Sequence, residues 1–342
     1  MTIIILPPYR ELFLRSLYGG ILYSEMNDNV FLLRFKPCCV FKFRCGHVCF
    51  FRRRGNILQN KSSESIIFRS EHILEALMNT NQKYKIIDRD LLKFIAVIPM
   101  AIGHFVDFYF GTSASLHNSL VLFLIAQASM IAPPIFFFFI TEGFRHTHSL
   151  KKYAVRLLIF AIITQIPYCL MINGTIMTTA MFTYLNVFFT LFLGLIALAV
   201  SESNMKLWLK ILIIILLDAV TALLNIQWLI FGIPIILILY HFRDRPAKRF
   251  WLFSLCCAGS LLMTTIPAAL IFYRKGLTEL FTCSLVGAAI DLCFLIIGYF
   301  IAVLFYNGEK GRYPVFSKWF FYIFYPAHLF IIYIAKLIAG KY

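Results

Sequence analysis

Charge is what this sequence has least of. Only 14% of its 342 residues are Asp, Glu, Lys or Arg, where a soluble globular chain carries roughly 25%. That scarcity excludes an ordinary soluble enzyme, a disordered chain and a coiled coil, all of which need a solvated, charged surface. The soluble catalytic signatures are missing as well: no G-x-S-x-G, no G-x-x-x-x-G-K-[ST] and no H-E-x-x-H occurs. The opening MTIIILPPYR has no basic n-region, and its apolar run breaks at Pro7-Pro8, so it does not read as a secretory signal peptide. Paired C-x2-C spacing is also lacking. Cys38, Cys39, Cys45, His47 and Cys49 lie close together, but they read as unpaired thiols of a reducing compartment, and no metal is expected.

What is present is apolar. Hydrophobic residues make up 61% of the chain and Phe alone contributes 37. The net charge is +16, which in a soluble protein would point to nucleic acid. From residue 88 onward the basic residues cluster at the edges of apolar runs, so an anionic inner leaflet is the expected partner and nucleic acid is not.

Two parts are expected. Residues 1–87 are basic, carry the cysteine cluster and hold no apolar stretch of membrane length. They read as a cytoplasmic extension, with Arg52-Arg53-Arg54 at the membrane surface and a short amphipathic helix from Ser65 to Leu77. Residues 88–340 read as a transmembrane domain. Apolar runs of about 20 residues, enough to cross about 30 Å of hydrocarbon, fall near 91–110, 119–140, 150–171, 180–199, 206–224, 227–240, 250–271, 281–305 and 316–337. The sixth is short and holds Pro234, so the expected count lies between about eight and ten. The fold class is an all-α polytopic integral membrane protein, about nine transmembrane helices in one bundle. The basic links Arg145–Lys152, Arg243–Arg249 and Lys310–Lys318 put the N-terminus in the cytoplasm of an inner-membrane, multi-pass protein. Arg274-Lys275 is the exception, on the outer side.

Polar residues inside such spans are costly and are functional candidates by default. His104 and Gln165 are expected about 9 Å from the outer ends of their spans, Asp218 at a similar depth, Asn186 and Thr190 in the outer half of theirs, and Asp291 and His328 nearer the midplane. That shared slab reads as one wet cavity. His104 is the candidate catalytic base; the bland alternative is a buried histidine bonded to a neighbouring helix. Asp218 pairs with an arginine, meets a substrate amine or simply pins the bundle. Asn186 and Gln165 either steady an oxyanion or tie helices together, each bond worth about 1–2 kcal/mol. His328 follows the kink at Tyr325-Pro326 and reads as a substrate-side residue or second base. At the cytoplasmic mouth Lys93, Glu142, Arg145, Lys152 and Arg156 read either as a positive-inside loop or as a seat for a phosphate-rich ligand. Tyr306 is a further oxyanion candidate, and Asn307-Gly308 marks a turn.

The segments LLKFIAVIPMAIGHF, PIFFFFITEGFRHTHSLKKYAVRLLIFAIITQIPY, LNVFFTLFLGL, YNGEKGR and FYIFYPAHL together resemble the TraX family, over about residues 88–340. Its founding member is described as the membrane protein that acetylates the N-terminus of F-type pilin, and the family lies near the membrane acyltransferase-3 group. The resemblance implies an acyl-CoA-dependent acyltransferase with acetyl-CoA as donor and an exported peptide, glycan or lipid as acceptor. It carries the first-helix histidine to His104, the Glu-Gly to Glu142-Gly143, the basic residue and Gln-x-Pro to Arg156 and Gln165-Ile166-Pro167, the Asn and Thr to Asn186 and Thr190, and the Tyr-Pro-x-His to Tyr325–His328. Gly103 stands where the family places an acid, so the acid that orients His104 is expected from Asp107 or Asp218. The competing class is a transporter or flippase of a small polar solute or lipid, with His104 as proton carrier. A non-catalytic membrane partner is a third.

Overall fold

A computed structural model describes residues 85–110, 119–176 and 184–341. The cysteine–histidine cluster, the arginine triplet and the short amphipathic helix expected before residue 85 lie outside the described residues, as do positions 111–118 and 177–183.

The described chain is helical and membrane-type. In order come α1 (Arg89–Phe110), α2 (Leu120–Gln127), α3 (Ala132–His146), α4 (Leu150–Asn173), α5 (Val187–Ser201), α6 (Leu207–Leu223), α7 (Gly232–His241), α8 (Pro246–Arg274), α9 (Thr278–Phe300) and α10 (Pro314–Ile338). A 3-10 turn at Ala128–Ile131 joins α2 to α3 as one span. It sits where Pro133 and Pro134 withhold two backbone donors. A π-helical segment, Ile301–Phe305, extends α9. Side chains fix several starts. Ser119, Ser149 and Asn186 cap α2, α4 and α5 by accepting from Leu122, Lys152 and Phe188 backbone N–H groups. Prolines open α8 and α10, where a missing N–H costs nothing.

Among the described residues six helices are long and apolar enough to cross a membrane, which corrects the expected nine. The other three expected segments are helical but short. At 1.5 Å per residue, the 15 residues of α5 reach about 22 Å, the 17 of α6 about 25 Å and the 10 of α7 about 15 Å. Apolar run length in the sequence included the links around them, which the chain spends on turns. The link before α7 is the tightest: Asn225, Trp228 and Leu229 all take positive φ.

In lipid, helices associate by close packing rather than by hydrophobic burial. The buried seam of Leu92, Phe137, Leu195, Ile236, Phe253 and Tyr299 lies between helices. By contrast α6 leaves Leu207, Trp208, Ile215, Leu216 and Leu223 exposed. The helix ends sort by charge. One end gathers Arg89, Arg145, Lys151, Lys152, Arg243, Arg245, Lys248, Lys310 and Lys318, whereas Arg274, Lys275, Lys336 and Lys341 lie at the opposite end.

Candidate functional site

The site is built on the first and last of these helices. Chain leading into α1 and α10 fixes their alignment: Ile87 N–H donates to Phe305 O and Asn307 N–H to Ile87 O, both at 2.9 Å, while Arg89 N–H donates to Glu309 O at 3.0 Å. Both helices therefore start at the basic end and run parallel. One turn in, Lys93 Nζ lies 3.5 Å from Ser317 Oγ, and the Phe94 ring packs on Phe320 and Phe321. Further up, His104 Nδ1 lies 3.2 Å from His328 Nε2. Both polar contacts join residues 224 apart in sequence. The register is thus constant, and the two levels are about three turns, or about 16 Å, apart on one face.

The two imidazoles are nearly coplanar, 19° apart with centroids at 5.5 Å. Phe108 closes the edge of His104, and Phe324 and Tyr325 flank His328. His328 Nδ1 lies 3.2 Å from the Phe324 carbonyl one turn below. Among the described residues no carboxylate contacts either ring, and nothing is bonded to His104 Nε2. The acid expected to orient His104 is therefore replaced by a second histidine. Asp107 exerts its charge on Asp291 of α9, whose Oδ1 accepts from Gln127 Nε2 at 2.5 Å. Gly103 has a packing reason. A Cβ there would sit 2.7 Å from the Ala126 carbonyl oxygen and from Ser129 Cβ, so a larger residue would push α2 away.

The lower level is cationic. Lys93 also faces the Phe321 ring at 4.9 Å. Arg156 of α4 lies over Tyr153, and its charge bears on Tyr322 and on Lys318. Its Nε is buried without a hydrogen-bond partner. Tyr153 in turn covers Gly143, whose missing side chain makes room for the phenol. Next to Gly143, Glu142 holds Arg145 at 3.4 Å, His146 at 3.6 Å and Arg243 at 3.3 Å. Arg145 and Arg243, with Tyr240, His241 and Asp244, line an open cavity of about 500 Å³. Lys152 is exposed on the first turn of α4, with no described partner for its ammonium.

Six expected residues lie elsewhere. Asn186 donates from Nδ2 to Ala161 O and Gln165 Oε1, both at 2.9 Å, and accepts at Oδ1 from Phe188 N–H. Gln165 donates to Tyr184 O at 2.6 Å and to Cys169 Sγ at 3.5 Å. Every polar atom of both side chains is engaged in clasping α4 to the start of α5, so neither is available as an oxyanion donor. Thr190 is used similarly, donating to the Gln227 carbonyl. Asp218 is on α6, which packs chiefly on α5 and the turn before α7 rather than on α1 or α10. Its Oδ1 is buried without a partner. Tyr306 pairs with Ile87 at the basic end, about 25 Å along α1 from His104, and so cannot reach an oxyanion there. Burial first, then Glu142, push its phenol up to about 12, which keeps it a protonated donor. Asn307 spends its Oδ1 on the Glu309 N–H in the same turn. Sequence reasoning missed Ser317, Lys318, Tyr322 and Tyr240 and gave Arg243 no role beyond a basic link. Only the positive charge of the Arg243 and Lys318 links hinted at them.

A family model described as TraX protein matches residues 88–336. The chain belongs to the TraX family. The match spans the described helices from α1 almost to the end of α10, so both histidines fall inside the TraX region. A curated relative, the probable fimbrial assembly protein FimC, serogroup H1, of Dichelobacter nodosus, is 29% identical over 254 residues, covering 72% of this chain and 94% of the relative. No solved structure matches.

Proposed function

We propose that this TraX-family protein is a membrane acyltransferase. It takes an acyl group, acetyl foremost, from acyl-CoA arriving at the basic end, which faces the cytoplasm, and passes it to an amine such as the N-terminus of an exported pilin-like peptide. One observation carries the reading: an unblocked histidine nitrogen stands about 16 Å above a cationic level on the same two helices. The pantetheine arm of CoA runs about thirteen bonds from phosphorus to sulfur and extends about 15 Å. With the diphosphate beside Lys93, Arg156 and Lys318, the thioester arrives at His104. The unpartnered Arg156 Nε and the cavity edged by Arg145 and Arg243 supply donors for the remaining phosphate oxygens.

The chemistry follows from what surrounds His104. The amine lone pair attacks the thioester carbonyl, the carbon–sulfur bond breaks, and His104 takes the proton shed by nitrogen and delivers it to the departing sulfur. The ring behind His104 carries no charge to stabilise an imidazolium formed before attack. That favours an amine, which attacks with its own lone pair, over a hydroxyl. Phe108, Phe324 and Tyr325 keep bulk water from the thioester. The fimbrial assembly relative supports a pilus-related acceptor.

Purified protein given acetyl-CoA and a short peptide with a free N-terminus releases thiol and acetylates the peptide, and His104→Ala does neither while remaining folded. Wild-type protein that consumes no thioester overturns the reading. Movement of a solute across vesicles without thioester loss would favour a transporter instead.

A further inference from the structure

We infer that His328 is a positioning residue: it holds His104 as the Nδ1–H tautomer, so that Nε2 of His104 is the atom that accepts the proton. The use of that atom as a base rests on the acyltransferase reading; the tautomer itself does not.

The hydrogen bonds admit little else. A carbonyl oxygen only accepts, so the contact from His328 Nδ1 to Phe324 O at 3.2 Å requires a proton on that nitrogen. In a neutral ring the other nitrogen then carries the lone pair. His328 Nε2 faces His104 Nδ1 at 3.2 Å, and two lone pairs at that distance repel. His104 Nδ1 must therefore bear the proton, and its Nε2 is left as an acceptor. The alternative is a doubly protonated His328 donating to His104. That places an imidazolium among Phe324, Tyr325 and Phe108 with no described carboxylate on either ring, at a cost of several kcal/mol. A neutral imidazole thus does here what a buried carboxylate does behind many catalytic histidines: it fixes the tautomer and the ring plane. Unlike a carboxylate, it adds no negative charge.

The anchor is the α10 backbone. The Phe324 carbonyl belongs to the turn that holds Pro326. The helix there has already given up one backbone donor to proline, and a ring N–H lends its carbonyls a further one. The order Tyr325-Pro326-Ala327-His328 thereby sets the imidazole at the height of His104.

The test reads the proton directly. Full-length protein labelled with 15N-histidine is purified in detergent, and the His104 signal is assigned by its loss in His104→Ala. Wild-type His104 shows the Nδ1–H pattern, whereas His328→Phe, which keeps an aromatic ring but no acceptor, moves it toward the Nε2–H pattern that free imidazole prefers. His328→Gln restores an acceptor oxygen near the old Nε2 position and keeps the Nδ1–H pattern. With acetyl-CoA and glycylglycinamide as probes, His328→Phe lowers kcat about a hundredfold with KM for acetyl-CoA little changed, and His328→Gln stays within about tenfold of wild type. A wild-type His104 protonated at Nε2 overturns the inference, as does full kcat in His328→Phe. If that variant does not fold, the wild-type and His328→Gln spectra decide. Nδ1–H on His104 with no thiol released upholds the tautomer and overturns the acyltransferase reading, so the two failures stay distinct.

Discussion

Gln165–Asn186 and His104–His328 are two polar clusters between helices in one membrane domain, and they are at similar depth by sequence. In the first, amide meets amide, carbonyl and backbone N–H until no donor or acceptor is left over. In the second, the chain of bonds ends at His104 with one ring nitrogen unspent. On the proposed function, the difference separates a brace from a reagent. A buried group whose valences are all satisfied stabilises the fold and is chemically inert, whereas a ring nitrogen left without a described partner stays open to a substrate.

That contrast can be broken by mutation. His104→Ala is expected to lower acyl transfer by about a thousandfold or more while the thermal midpoint stays near that of wild type; detergent melts beside thiol-release assays check it. Asn186→Ala should do the reverse. It strips the cap from α5 and removes the side-chain bonds to the Ala161 carbonyl and Gln165 Oε1, costing about 2–3 kcal/mol of stability, with turnover per folded molecule preserved. If instead Asn186→Ala folds normally and fails to turn over, the brace is a reagent after all. Lys93→Met, which keeps the stem and deletes the charge, should raise KM for acetyl-CoA about tenfold and leave kcat nearly alone, as steady-state kinetics would show. Arg243→Gln should raise the same KM by about threefold, because its partner Glu142 keeps Arg145 and the pair is exposed. Asp218→Asn should change turnover by less than about twofold; a large loss would bring α6 into the reaction.

How far these clusters could be read from sequence depends on what a sequence carries. Apolar periodicity gave the positions of the helices and the depth of each polar residue along them. It gave no azimuth and no register. His104 and Gln165 share a depth but face different neighbours, and only packing decides that Gln165 meets Asn186 while His104 meets a ring 224 residues away. Asp218 failed for the same reason: its depth fits, but its helix lies on α5. Tyr306 failed on depth itself, since the apolar run before it ends one residue earlier, at Phe305. The three short helices were overcounted as spans because an apolar turn looks like more helix. The cation level was legible as a loop rich in Lys and Arg, but its distance from the histidines depends on the parallel alignment of two helices at opposite ends of the described domain.

That alignment also governs when the protein comes to life. His104 stands on the first described helix and His328 on the last, so a growing chain on the ribosome presents one imidazole well before the other. On the acyltransferase reading proposed above, transfer waits until α10 has docked beside α1. On that reading, a bundle that stops short of the final docking is a harmless scaffold that does not drain acyl donors.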